Sequence, residues 1–250
     1  SFKDMKFLGI IPARYASTRF PAKPLALLGG KTVIQRVYEQ VAGVLDDAYV
    51  ATDDERIEAA VKAFGGKVVM TSVHHKSGTD RCYEACTKVG EGFDVVVNIQ
   101  GDEPVINPEM IREVISIFTE DESVYFGSLK KEITDPDEIR ATSTVKVVTN
   151  DTGDAMYFSR SVIPSNIKDG QLARVFRHVG IYAYKKDFLL KFANMEQTEL
   201  EKGEGIEPLR ALQKGYHMRL KETTYTSIGV DLPEHVALVE NIIRKNNVSI

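Results

Sequence analysis

No apolar run in this chain approaches the roughly 18 residues needed to cross a bilayer, and no basic segment followed by an apolar core opens it in the manner of a signal peptide. A soluble, unexported protein without membrane insertion is expected. Cysteine is nearly absent. Cys82 and Cys86 are the only two, four apart in a stretch that reads as helical, where such side chains stack on one face. Reduced packing residues are expected there, not a redox or zinc pair. Bulk positive charge is missing as well: 32 Lys and Arg against 36 Asp and Glu give a net charge of −4, so no general field exists to hold a nucleic acid by its phosphates. Neither the G-x-G-x-x-G dinucleotide fingerprint nor the G-x-x-x-x-G-K-[ST] phosphate loop occurs, which argues against NAD-linked chemistry and against a P-loop ATPase. There is no internal repeat and no low-complexity segment.

What remains is 250 residues, 43% hydrophobic and 27% charged, enough for one sizeable domain or a main domain with a smaller appendage. Met5 reads as a natural start, with Ser1 to Asp4 as leader residues ahead of it. The first half alternates short β-rich runs with amphipathic ones. Strands are expected at Phe7–Ile11, Ala48–Ala51, Lys67–Met70 and Asp94–Ile99. Helices are expected at Thr32–Val41, opened by a Thr32/Gln35 capping box, at Asp53–Phe64, stopped by Gly65-Gly66, and from near Ser77 or Thr79. The contiguous Val95, Val96 and Val97 suit a strand covered on both faces, hence a mostly parallel, doubly wound α/β sheet. Past about residue 120 the rhythm changes to strand-like pieces at Tyr125–Leu129, Thr144–Val148, Tyr157–Phe158 and Gly180–Tyr184, two of which suggest an added antiparallel ribbon. Pro164–Gly170 reads as a loop, Glu201–Leu212 as a helix, and Pro233–Lys245 as the last helix, with Pro233 in its first turn. The expected architecture is a single α/β domain over residues 5–250 carrying an inserted β-rich subregion at about 125–190.

In doubly wound sheets ligands sit beyond the carboxyl ends of the strands, so the loops leaving strands carry the candidates. The loop after the first strand holds Arg14, Arg19 and Lys23, with small Ala13, Ala16 and Ser17 permitting close backbone approach. Three cations in one turn-rich segment suit a polyphosphate whose charge grows on a leaving group. After the valine strand comes Gln100-Gly101-Asp102, where Gly101 allows a sharp turn and Asp102 offers a carboxylate to a divalent cation. The next helix begins near Asn107 or Pro108, too far on for Asp102 to cap it. Asp231, in Gly229-Val230-Asp231, stands where a strand hands over to a helix and is either that helix's cap or a second metal ligand. Ser77 and Arg81, in Ser77-Gly78-Thr79-Asp80-Arg81, read as a nucleotide-contacting loop or a plain helix cap. His178 and Tyr182 fall on one side of a strand. Arg160 matters only if an anionic substrate must be held, and His74-His75, which lack any matching ligand spacing, are expected at the surface.

Several of these motifs occur together and in order: Ile10-Ile11-Pro12-Ala13-Arg14-Tyr15-Ala16-Ser17-Thr18-Arg19-Phe20-Pro21-Ala22-Lys23-Pro24-Leu25, Val50-Ala51-Thr52-Asp53, Ser77 to Arg81, Asn98-Ile99-Gln100-Gly101-Asp102-Glu103-Pro104, Tyr157-Phe158-Ser159-Arg160, Arg177 to Tyr182 and Gly229-Val230-Asp231. From about Met5 to the end the chain closely resembles the 3-deoxy-manno-octulosonate cytidylyltransferases, or CMP-Kdo synthetases. That resemblance implies a nucleotide-diphospho-sugar transferase-like fold and a cytosolic, Mg²⁺-dependent homodimer making CMP-Kdo and pyrophosphate from CTP and Kdo for lipopolysaccharide assembly. It further implies that Ala13, Arg14, Ser17, Arg19 and Lys23 meet the nucleotide with Ser77, Arg81, Gln100 and Asp102. Magnesium would fall to Asp102 and Asp231, and the sugar to Gln100, Arg160, His178, Tyr182 and Glu207, with the β-rich subregion serving sugar binding and dimerisation. Three positions depart from the family pattern: Ala22 in place of a common Gly, Pro208 in place of Gln, and Ser143-Thr144 in place of an Asn-containing pair.

The expected reaction is in-line nucleotidyl transfer, with charge neutralisation by Arg14, Arg19, Lys23 and the metal doing most of the work. No residue stands out as a general base, and His178 is the fallback. A cytidylyltransferase for an amino-substituted sugar acid and a non-catalytic nucleotide- or sugar-binding regulator are the alternatives. Charge by region favours a nucleotide despite the net −4: Ser1 to Gly30 holds five cations against one acid, or +4, and the remaining 220 residues carry −8.

Overall fold

A computed structural model describes residues 4–16, 19–102, 104–167, 172–230 and 232–245. By its contacts the chain forms two compact units, Met5–Arg112 with Tyr225–Ile250, and Glu113–Thr224 with Ser1–Asp4. The β-rich segment expected at about 125–190 lies inside the second, which extends further in both directions.

The first unit runs through β1 (Phe7–Pro12), a 3-10 turn (Lys23–Leu25), the short antiparallel pair β2 (Leu27–Leu28) and β3 (Lys31–Thr32), α1 (Val33–Ala42), β4 (Asp47–Thr52), α2 (Glu55–Ala63), β5 (Val68–Met70), α3 (Gly78–Val89) and β6 (Val95–Asn98). Helix α4 (Pro108–Glu120) then carries the chain past the unit boundary, and a C-terminal helix, His235–Lys245, belongs to the first unit again. Strands β6, β1, β4 and β5 lie side by side in that order, every pair parallel. Successive strand residues point to opposite faces, and Val95, Val96 and Val97 are all fully buried, so β6 is covered on both sides. The order places the topological switch between β1 and β6, because the chain steps from β1 outward to β4 and β5 and then returns to β1's other edge.

Local chemistry accounts for the helix starts. Thr32 Oγ1 accepts the Gln35 N–H at 3.2 Å, but the Gln35 side chain turns to Glu39 at 2.9 Å, so only half of the expected capping box forms. Asp54 caps α2 through the amides of Arg56 and Ile57, which moves the start past Asp53. Asn107 caps α4 by accepting the Glu109 amide at 2.9 Å, as expected if Asp102 has other work. The C-terminal helix starts at His235, two residues beyond Pro233. In α3, Cys82 and Cys86 form no disulfide; Cys82 is buried, and burial pushes its thiol well above the ordinary range, as suits a packing cysteine. Phe20, Leu28, Val33, Val230, Val239 and Ile243 form one buried cluster that clamps the end of the first loop to the segment before the C-terminal helix. Each such burial contributes about 1.5–3 kcal/mol.

The second unit contains β7 (Phe126–Ile133), α5 (Pro136–Arg140), β8 (Lys146–Thr149), β9 (Ala155–Ser159), β10 (Val175–Lys185), α6 (Lys186–Ala193), α7 (Glu199–Glu204), α8 (Leu209–Gln213) and β11 (Arg219–Glu222). Strand β10 is antiparallel to β7 and β8, and β8 to β9, which supplies the expected ribbon. Strand β11 joins β7 in parallel and was not legible beforehand: only Leu220 of its four residues is buried, and Arg219 and Lys221 are ion-paired to Asp154, Asp121 and Glu120. The helix expected over Glu201–Leu212 is two helices. Gly205, at φ 69°, ends α7 in the left-handed conformation, and buried Pro208 starts α8 at φ −56°.

Candidate active site

Because β1, β4, β5 and β6 are parallel, the loops leaving them emerge at one edge of the sheet. The loops after β1, β5 and β6 line a cleft of about 380 Å³. The first contributes Ala13, Arg14, Arg19 and Lys23, the second His75, Lys76 and Ser77, and the third Gln100, Gly101 and Asp102. Two hydrogen bonds shape the first loop. The Ala13 amide extends the β1 ladder to the Ala51 carbonyl at 2.9 Å, and the Ala22 amide folds the loop back onto the Tyr15 carbonyl at 2.9 Å. Ala22 itself sits at φ 59°, ψ 23°, left-handed backbone. Alanine adopts this strained geometry where the family commonly has glycine. Gly101 is needed for a reason other than a sharp turn: a Cβ there would lie 2.7 Å from the Pro12 carbonyl oxygen, so only glycine lets the loop after β6 pass the end of β1.

Arg14 and Arg19 are exposed on the cleft. Lys23 Nζ lies 3.2 Å from Asp102 Oδ2, so the predicted phosphate cation and the predicted metal ligand are partners. The Asp102 carbonyl accepts the Val230 amide at 2.8 Å, and Val105 bridges Ile228, which lays the segment before residue 231 alongside the loop after β6. Asp231 and Ser17 lie outside the described residues. Ser77 both lines the cleft and caps α3, accepting the Asp80 amide at 3.1 Å. Arg81 is buried, and its guanidinium is spent on Thr71 Oγ1 at 2.6 Å and Asp53 Oδ2 at 3.1 Å. It lines the cleft and braces its wall through these bonds. His74 is exposed as expected, but His75 is half-buried at the cleft. Its position in a loop leaving a parallel strand was the available signal, masked by the lack of any partner at ligand spacing.

The remaining predicted residues lie in the second unit. His178 and Tyr182 do share a side of β10, with ring centroids 5.2 Å apart, and Phe158 meets His178 edge-on at 5.1 Å. Strand β10 bulges between Val179 and Ala183, where Ser128 Oγ reaches the carbonyls of Val179 and Ile181 at 2.9 and 2.7 Å and His178 Nε2 at 2.9 Å. Burial, and then the charge of Arg177, bring the His178 imidazole down to about 3, so it is neutral near pH 7 and ill-suited to serve as a general base. Burial raises the Tyr182 hydroxyl, and the charge of Glu207 raises it further, which puts Glu207 in its neighbourhood. Arg160 donates from Nε to the Glu204 carbonyl at 2.8 Å, from Nη1 to Thr142 at 2.9 Å and from Nη2 to Gly205 at 3.0 Å. Three of its five N–H groups thus hold backbone. Lys146, fully buried, was missed: its ammonium satisfies all three donors on the carbonyls of Ala141, Thr144 and Arg160 at 2.6–2.9 Å. It engages the backbone of Thr144, so the Ser143-Thr144 departure leaves this contact intact.

The profile of the Cytidylyltransferase family matches residues 8–223. A 3-deoxy-manno-octulosonate cytidylyltransferase of Bacteroides thetaiotaomicron is 55% identical, over 97% of this chain and all of that protein. One from Phocaeicola vulgatus is also 55% identical, over 96% and 98%. The chain belongs to the 3-deoxy-manno-octulosonate cytidylyltransferase family. A solved CMP:2-keto-3-deoxy-manno-octonic acid synthetase complexed with CTP superposes with a TM-score of 0.92 at 41% identity, over 96% of this chain and 99% of that one. A 4-diphosphocytidyl-2C-methyl-D-erythritol synthase from Anaerococcus prevotii, 12% identical with a TM-score of 0.64, shares the fold alone.

In this cytidylyltransferase Ala22 offers a direct test of the loop geometry. Left-handed backbone costs a residue with a Cβ about 1–2 kcal/mol, against about 0.5–1 kcal/mol of unfolded-chain entropy that glycine adds. Ala22→Gly is expected to raise the thermal midpoint by about 1–3 °C. A lower midpoint in a calorimetric scan would show that the strain is absent.

Proposed function

We propose that this chain transfers the CMP group of CTP to the anomeric hydroxyl of 3-deoxy-D-manno-octulosonate, giving CMP-Kdo and pyrophosphate. The observation that carries this reading is the cleft at the β1/β6 switch, where Arg14, Arg19 and Lys23 gather with Asp102 in a member of this family. The sugar oxygen forms a bond to the α-phosphorus. The bond from that phosphorus to the bridging oxygen breaks, its electron pair leaves with pyrophosphate, and the hydroxyl proton passes to solvent. Lys23 and the two arginines bind the polyphosphate and offset the charge that collects on the leaving group.

The donor set fits magnesium. Asp102 presents a carboxylate to the cleft, and Asp231 is its proposed second ligand, an oxygen-only pair of the hard kind that Mg²⁺ takes together with phosphate and water. Among the described residues no group of three or more His, Cys, Asp or Glu could hold a metal ion. Bound there, magnesium would supply charge neutralisation to the triphosphate. We further propose that Gln100, Arg160, His178, Tyr182 and Glu207 meet the sugar acid, and that the enzyme works as a cytoplasmic homodimer in lipopolysaccharide assembly. No helix among the described residues is long and apolar enough to cross a membrane.

Pyrophosphate release, measured with the four ribonucleoside triphosphates against Kdo and amino-substituted sugar acids, tests the reading. Turnover confined to CTP and greatest with Kdo is expected. Tight CTP binding without product from any acid would overturn it.

A further inference from the structure

His75 has no role in the reading above, yet it stands on the wall of the same cleft, beside Lys76 and Ser77. Its ring is fixed from behind. Nε2 lies 2.8 Å from Glu84 Oε1, in the second turn of α3. Glu84 also accepts the Ser72 amide at 2.9 Å and pairs with Lys88 at 2.7 Å. Burial alone would raise the Glu84 carboxyl, but Lys88, the Ser72 amide and His75 outweigh it and bring the group to about 2. An ionised carboxylate only accepts, so Nε2 carries the hydrogen and Nδ1 is the ring nitrogen left for a ligand. In its imidazolium form the ring donates from both nitrogens, so Nδ1 can meet an anionic oxygen while Nε2 stays on Glu84.

The cleft sets the kind of ligand. Arg14, Arg19, Lys23 and Lys76 line it with Asp102 as the one acid among the described lining residues, and Arg81 is committed to Asp53. Such a field selects anion over base. We propose that His75 is a binding residue for the polyphosphate of the nucleotide, aimed by Glu84. The inference rests on the reading of this cleft as the CTP site and adds a ligand that neither the sequence motifs nor the family resemblance assigned.

The test uses His75→Ala and Glu84→Gln in the full chain, with KM for CTP and for the sugar acid, and calorimetric affinity for inorganic pyrophosphate and for CMP. His75→Ala is expected to raise KM for CTP about tenfold and to weaken pyrophosphate by a similar factor, while CMP affinity and the sugar-acid KM stay within about twofold. Glu84→Gln, which keeps a hydrogen-bond acceptor but loses the charge, is expected to move the same two quantities by a smaller factor. A merely structural role would shift all four quantities together. Unchanged CTP and pyrophosphate values in a folded His75→Ala overturn the inference, as does a loss seen with CMP and not with pyrophosphate, which would assign His75 to the base. If the wild type makes no product the functional reading fails on its own, and the pyrophosphate titration still decides the role of His75.

Discussion

Replacing Lys23 by alanine is expected to lower kcat at least about tenfold while leaving the fold intact. Lys23 is half-buried, at the start of a single 3-10 turn, with its ammonium 3.2 Å from Asp102. That pair is partly open to solvent, so its rupture costs little stability, about 0–1 kcal/mol. A cation used mainly when charge builds on the departing pyrophosphate is worth more, about 2–4 kcal/mol of barrier by comparison with other preorganised donors. Single-turnover rates separate chemistry from release, and Arg19→Ala should follow the same direction. Unchanged turnover in a well-folded Lys23→Ala would remove Lys23 from the leaving-group site.

The largest effect on stability is expected at Arg210. Its guanidinium meets Glu201 in a two-pronged pair, Nε to Oε1 at 2.9 Å and Nη2 to Oε2 at 2.7 Å, with both side chains less than a tenth exposed. Glu201 also closes the capping box of α7 with Thr198, and Arg210 lies over the Phe192 ring at 5.4 Å. Arg210→Met removes the counter-charge and leaves a carboxylate in a site with little water, for which about 3–5 kcal/mol is expected. In a chain of this size that corresponds to a fall of about 6–20 °C in the thermal midpoint. The double variant Glu201→Leu with Arg210→Met should recover much of the loss, because no lone charge remains. A single variant within 1 kcal/mol of the wild type would show that water reaches the pair.

The same segment explains a misread element. Residues 201–212 contain Gly203, Gly205 and Pro208, so a local signal for the turn there is present, and a single helix gives it too little weight. The turn persists because the buried Glu201–Arg210 pair, nine residues apart in sequence, ties α7 to α8. Strand β11 was hidden because its charges pair with Arg174, Asp154, Asp121 and Glu120, 48 to 101 positions away in sequence, so it shows no alternation. The central strands β1 and β6 were legible because they are buried on both faces and almost wholly apolar, and β4 and β5 through their short runs of small and β-branched residues.

At the cleft, residue type and position after a strand were enough to single out Arg14, Arg19, Lys23 and Asp102, since parallel strands bring their following loops to one edge whatever else the fold does; Gln100 came from the family resemblance. Roles needed distances. Arg81 reads from sequence as a ligand-facing cation; it lines the cleft and also braces its wall through Asp53 and Thr71. His178 reads as a fallback base, but its enclosure beside Ser128 keeps it neutral. His75 reads as a surface residue, and it is Glu84, in the second turn of the next helix, that fixes it on the cleft wall. The amino-acid sequence by itself determined the absence of membrane-length apolar runs and of nucleic-acid charge, the α/β order and the loops that hold the chemistry, because burial and strand direction act locally and repeatedly. Only the tertiary structure decided which of those polar groups spend themselves on one another and which face the cleft, because hydrogen bonds and ion pairs fall off within a few ångströms and their partners are set by packing between segments far apart in the chain.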